Sequence, residues 1–109
     1  MPQSNGMRVY IAGPMTGLPD LNFPAFHEAA RRLRAAGFVA LNPAEIVTDP
    51  ATTWLAAMRL DIAKLVTCDG VALLDGWQAS RGARIEHDLA TGLGLTVLPL
   101  AAFLQAAHA

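Results

Sequence analysis

The chain is short of nearly everything that would tie it to a polymer, a bilayer or an oxidising compartment. Its 109 residues carry 8 Lys and Arg against 9 Asp and Glu, a formal net charge of −1. Such a balance exerts no long-range pull on nucleic acid or on an anionic lipid surface, so a nucleic-acid polymer or a membrane is not the expected partner. Its one cysteine, Cys68, excludes an internal disulfide and suits a reducing cytoplasm. The histidines His27, His87 and His108 lack a spacing that would pair them as ligands on one helix, so no metal is expected. The opening MPQSNGMR has no long apolar run of the signal-peptide kind. Nowhere does an apolar stretch of membrane-spanning length escape interruption by charge, Gly or Pro. A Walker lysine and a G-x-G-x-x-G are missing too, which excludes the usual triphosphate and dinucleotide fingerprints.

What is present is a core. A hydrophobic fraction of 53% and a charged fraction of 16% describe one compact domain over residues 1–109. Short apolar runs alternate with stretches of helical periodicity. Val9 to Ala12 reads as a buried strand, followed by the loop GPMTGLPDLN. A helix is expected from Asn22 as N-cap, with Pro24 in its first turn, a stripe of Phe23, Phe26, Ala30 and Leu33, and Gly37 at its end. Phe38 to Leu41 is a second strand, stopped by Asn42-Pro43 and followed by a polar loop. A second helix runs from about Thr52 to Thr67, and Gly70 to Leu74 is the third strand. The segment SRGARIEHDLATGLG makes a third helix closed by Gly94. Leu95 to Leu98 is the fourth strand, before a short Ala-rich terminal helix.

Strand and helix in strict alternation require crossover connections, hence a parallel sheet covered on both faces. The expected fold is a small doubly wound α/β domain with four parallel strands in flavodoxin-like order, the first beside the third. Ligands bind such sheets where the strand order reverses, and the loops meeting there are GPMTGLPDLN and DGWQASRG. The first is long for a βα connection, and Gly13 and Gly17 let its backbone approach a ligand or simply punctuate a turn.

Two carboxylates break the apolar pattern. Glu86 lies three residues before Leu89 and seven before Leu93, on what would be their inward face. Asp61 interrupts a row formed by Trp54, Met58, Leu65 and Cys68. A buried carboxylate costs several kcal/mol unless paired or neutralised. From the residues alone two readings stay open: ion pairs with Arg59, Arg81 or Arg84, or a pair of acids working on a glycosidic bond, one at the anomeric carbon and one managing protons.

Three stretches, VYIAGPMTG, LDIAKLVTCDGVALLDGW and SRGARIEHDLATGLG, together resemble the nucleoside 2-deoxyribosyltransferase superfamily, which includes deoxynucleoside 5′-monophosphate N-glycosidases. The nearest resemblance within it is to a branch of small bacterial and phage proteins. The likeness covers nearly the whole chain, and its most specific part is the order Ser, Gly, Glu at the start of the third helix. It implies that Glu86 is a nucleophile forming a covalent deoxyribosyl ester, that Asp61 assists at the sugar and leaving base, and that Tyr10 helps hold the nucleophile. Tyr10 also reads as a core aromatic with its hydroxyl at the edge. Substrate contacts implied by the resemblance are Gly13, Pro14, Met15, Thr16 and Gly17 in the first loop, and Trp77, Ser80, Arg81, Gly82 and Arg84 in the second. Ser80 matches a residue that binds a 5′-phosphate or 5′-hydroxyl, a role compatible with N-capping. Thr16 departs from the pattern, since the monophosphate glycosidases carry an arginine there; Arg81 or Arg84 could compensate. Trp77 stands where a base could stack.

The expected ligand is a nucleoside or nucleotide, the expected reaction cleavage or transfer at its N-glycosidic bond, and no cofactor is implied. The apolar content suggests a homodimer or larger homo-oligomer. A non-catalytic nucleotide-binding module and a structural subunit with the same fold are the alternatives.

Overall fold

A computed structural model describes residues 6–107, so His108 and the first five residues of MPQSNGMR lie outside the described residues. Four strands, β1 (Arg8–Ala12), β2 (Val39–Leu41), β3 (Gly70–Leu73) and β4 (Thr96–Pro99), form one sheet in the order β2-β1-β3-β4. Every pairing is parallel, with Tyr10 opposite Leu41 on one side and Val71 on the other. The fold is therefore the expected doubly wound α/β domain, with its order reversing between β1 and β3. Val9, Tyr10, Ile11 and Ala12 are all 0% exposed, as a central parallel strand buried on both faces requires.

Alternation along β1 divides the interior. Val9 and Ile11 point into a core made with Phe26, Ala30 and Leu33 of α1 (Phe23–Ala35) and Phe103 of α5 (Leu100–Ala107). Tyr10 and Ala12 point the other way, toward Leu65 of α3 (Trp54–Leu65) and Ala90 of α4 (Arg81–Gly92). Helices thus cover both faces, two on each. No helix among the described residues is long and apolar enough to cross a membrane.

Helix ends follow local chemistry. Thr53 and Ser80 cap α3 and α4 by accepting hydrogen bonds from the N–H groups of Ala56 and Ala83. Gly37, at φ +96°, closes α1 in a Schellman turn, with the Phe38 N–H donating to the Leu33 carbonyl.

Three local expectations are corrected. Asn22 precedes α1 in a left-handed conformation and makes no side-chain cap; its amide instead donates to the Pro14 carbonyl at 3.0 Å. The residues after Leu41 are not simply a polar loop. Asn42, 1% exposed, caps a further short helix, α2 (Pro43–Ile46), by accepting from the Ala44 N–H, with Pro43 in its first turn. Leu93 does not share the inward face of Glu86: it is 54% exposed, because the chain turns away there and Ala90 fills the buried position.

Gly13 follows β1 where the first loop leaves the sheet. A Cβ there would lie 2.8 Å from Leu74 Cβ, an atom with no freedom to swing aside. Gly13→Ala is expected to cost about 1–3 kcal/mol of stability, read as a lowered urea midpoint; an unchanged midpoint would mean that the two strand ends part without strain.

Candidate functional site

The reversal of strand order brings six segments to one cavity of about 90 Å3 off the C-terminal ends of β1 and β3. Tyr10 forms part of its wall, and Gly13, Met15 and Thr16 come from the first loop. From α3 come Trp54, Ala57, Met58 and Asp61, and from the start of α4 come Ser80, Gly82, Ala83 and Glu86. Phe26 and Pro43 complete the lining. At about 10–15 Å3 for each water centre, this is room for a handful of waters, comparable to one sugar ring.

Both acids are buried: Asp61 is 8% and Glu86 5% exposed. The Tyr10 hydroxyl donates to Glu86 Oε2 at 2.6 Å. Burial, with the Glu86 and Asp61 carboxyls beside it, pushes the Tyr10 phenol well above its usual value, so it is a fixed donor rather than a source of charge. Burial raises Glu86 to about 8, the hydrogen bond from Tyr10 opposing the rise and Asp61 adding to it. Burial alone raises Asp61 to about 7, and its Oδ1 has no hydrogen-bond partner among the described residues. A partnerless buried carboxyl oxygen and a second carboxyl held by a phenol can between them hold and release protons near neutrality.

The ion-pair reading of these acids is not met among the described residues. The Arg81 guanidinium lies 4.3 Å over the Trp54 ring, Arg84 donates to the Gln78 carbonyl, and the ion pairs found are Glu28–Arg31, Glu45–Arg34 and Asp88–His87.

Family membership can be decided from the matched stretch. The model of DUF4406, a domain of unknown function, matches residues 7–99. The chain belongs to the DUF4406 family. The matched stretch runs from the first strand to the last and holds every residue named for the cavity. No curated protein matches the chain significantly.

In this DUF4406 chain most of the residues singled out from sequence converge. Tyr10, Gly13, Met15, Thr16, Asp61, Ser80, Gly82 and Glu86 share the cavity. Pro14 and Arg81 line an adjoining outer depression of about 630 Å3, which shares Met15, Thr16, Trp54, Ser80 and Gly82 with the inner one. Three residues do not converge. Gly17 turns the first loop at φ +84° with open space around it. Arg84 is spent on the Gln78 carbonyl. Trp77 stacks on His87 at 4.3 Å and packs against the core on the α3–α4 face. Asp75, in the loop DGWQASRG, is exposed and borders a depression lined by residues of α1 and α5, away from the cavity. The aromatic at the mouth is Trp54, whose place in the Asp61 row was the available signal. Pro43 escaped notice because the short helix that presents it reads as a loop.

The raised acids fix the sign of a pH effect. The native state keeps protons that the unfolded chain releases near pH 4 to 4.5, so their contribution is fully present below that range and is lost as pH rises through about 7 and 8. Glu86→Gln retains an acceptor for Tyr10 without a charge. Its advantage over the wild type is expected to be larger at pH 9 than at pH 5 by on the order of 2 kcal/mol or more in urea unfolding. A gap that is constant across pH would contradict the raised value for Glu86.

Proposed function

We propose that the chain cleaves or transfers at the N-glycosidic bond of a 2-deoxynucleoside or its 5′-monophosphate. The observation that carries this reading is the cavity shared by a phenol-held Glu86 and a partnerless Asp61, both with ionisations raised toward neutrality. The resemblance of VYIAGPMTG and SRGARIEHDLATGLG to the nucleoside 2-deoxyribosyltransferase superfamily supports it, as does the finding that no ion pair among the described residues involves either acid.

The steps follow from the chemistry of the groups. Ionised Glu86, oriented by the Tyr10 hydroxyl, attacks C1′ as the C1′–N bond breaks. The bonding pair leaves with the base, which takes a proton from Asp61. Water, or a second base, then attacks C1′; the ester bond breaks, Glu86 regains its carboxylate, and Asp61 accepts the proton released. Charge builds on the sugar as the bond opens, and two carboxyls in an apolar cavity stabilise it more than water would. The outer depression has the opposite character, with Arg81 and the capped start of α4 and no acid in its lining. That end suits a 5′-phosphate. The protein works in the cytoplasm as a homodimer or larger assembly, a reading supported by the exposed Leu55, Leu60, Val66 and Leu93 on α3 and at the end of α4.

Release of free base from a panel of deoxynucleosides and their monophosphates tests the proposal. Glu86→Ala should abolish release, Glu86→Gln, which keeps an acceptor for the Tyr10 hydroxyl, should do so with the fold intact, and Asp61→Asn should lower kcat more than it raises KM. Full activity in Glu86→Ala would remove the nucleophile assignment. The needed form, an ionised Glu86 with a protonated Asp61, is the less populated of the two singly protonated forms when Glu86 is raised to about 8 and Asp61 to about 7, but its population still peaks between those values, so kcat/KM should be bell-shaped and greatest between about pH 7 and 8. A plateau from pH 5 to 9 would contradict that pairing.

The 5′-monophosphate should be preferred over the bare nucleoside by about tenfold or more in kcat/KM, one charge-assisted contact being worth about 1.5–3 kcal/mol. Arg81→Gln combined with Ser80→Ala should erase the ratio. Equal wild-type rates on the two would show that no phosphate contact is used.

A further inference from the structure

The inner cavity beside Glu86 and Asp61 and the larger outer depression share Met15, Thr16, Trp54, Ser80 and Gly82, and the two acids line only the inner one. A group that leaves C1′ on the side away from Glu86 has the outer depression to extend into, and Trp54 is the aromatic ring that lines both spaces. Its ring is fixed on one side by the start of α4. A Cβ on Gly82 would meet Trp54 Cζ2 at 3.7 Å and Met58 Sδ at 3.1 Å, so the bare glycine lets α3 and α4 close together there. The Arg81 guanidinium lies over one ring face, 4.3 Å from the ring centroid, and the residue remains 36% exposed. The second indole, Trp77, is already stacked on His87.

A cation lying over a partly exposed ring is held weakly, whereas a nucleobase stacked on an aromatic side chain is held more firmly. Arg81 is also adjacent to the capping Ser80, where an anion would be attracted. We infer that Trp54 is the stacking platform for a planar heteroaromatic leaving group and that Arg81 is its displaceable cover, moving from the ring to the anionic end of the substrate as the base stacks. Trp54 is thus a specificity-determining residue. The inference rests on the N-glycosidic reading of the same site.

The test uses the Glu86→Gln protein, so that ligand is bound and not consumed. Calorimetry compares 2′-deoxyadenosine 5′-monophosphate with 2-deoxyribose 5-phosphate, which lacks the base. Adding Trp54→Ala should raise the Kd for the nucleotide about ten- to hundredfold and leave that for the sugar phosphate within about twofold. Trp54→Phe should keep most of the nucleotide affinity and Trp54→Leu should lose it. Both fill the space with apolar atoms and only Phe can stack, so this pair carries the test if the alanine variant unfolds. Equal weakening of both ligands, or no weakening of either, overturns the platform while leaving the N-glycosidic reading intact. Binding of neither ligand by the Glu86→Gln protein itself removes that reading and the platform with it.

Discussion

The hydrogen bond from Tyr10 to Glu86 joins the middle of the sheet to a helix that arrives 76 residues later in the chain. A carboxyl group taken out of water keeps its proton or finds a donor, and here the donor is fixed on the most deeply buried strand. The remaining architecture brings these two groups together. Strand β3 pairs with β1, the connection after β3 passes through a tight turn at Trp77–Ala79 into α4, and Ser80 starts that helix so that Ala83, Glu86 and Ala90 all face inward. Asp61 reaches the same cavity from α3 on the same face of the sheet, its Oδ1 without a hydrogen-bond partner among the described residues.

The two walls of the cavity are built differently. The segment leading into α4 is tied down, since Arg84 donates to the Gln78 carbonyl and Trp77 is clasped between His87 and the core. Among the described residues the first loop is held by one side-chain hydrogen bond, Asn22 to the Pro14 carbonyl, and by the packing of Met15 on the core, and it passes through three successive left-handed residues, Asp20, Leu21 and Asn22. Each such residue without a glycine costs roughly 1–2 kcal/mol. Strain is thus concentrated in the wall whose Met15 and Thr16 face both cavities.

Much of this was legible in the sequence because burial leaves a period. The strands are nearly continuous apolar runs, and Asp61 and Glu86 stood out as acids on otherwise apolar helical faces. Topology followed from alternation, and the site from the reversal of strand order. What escaped was set by local geometry or by contacts distant in sequence. Asn42-Pro43 served equally as a strand stop and a helix start, and only the burial of Asn42 decides between them. Nothing in PDLN announces left-handed dihedrals at Leu21, which no side-chain preference favours. Trp77 was the tryptophan expected where a base could stack, and only the contact of its ring with His87 and the place of Trp54 in the cavity lining reverse the two.

The alternation of side chains along β1 has a bearing on how the chain avoids misfolding. Val9, Tyr10, Ile11 and Ala12 are all completely enclosed, so apolar burial alone discriminates poorly between two settings of this strand. Slipping β1 by one residue would send the phenol into the core under α1 and α5 and bring Val9 or Ile11 against Glu86. The displaced hydroxyl would point into an apolar cluster, and the acid would lose the donor it has among the described residues. Both losses fall on the wrong arrangement and neither on the right one. The pair proposed to do the chemistry therefore also proofreads the sheet, and a chain that has closed its hydrogen bond between Tyr10 and Glu86 has, by that fact, aligned its central strand.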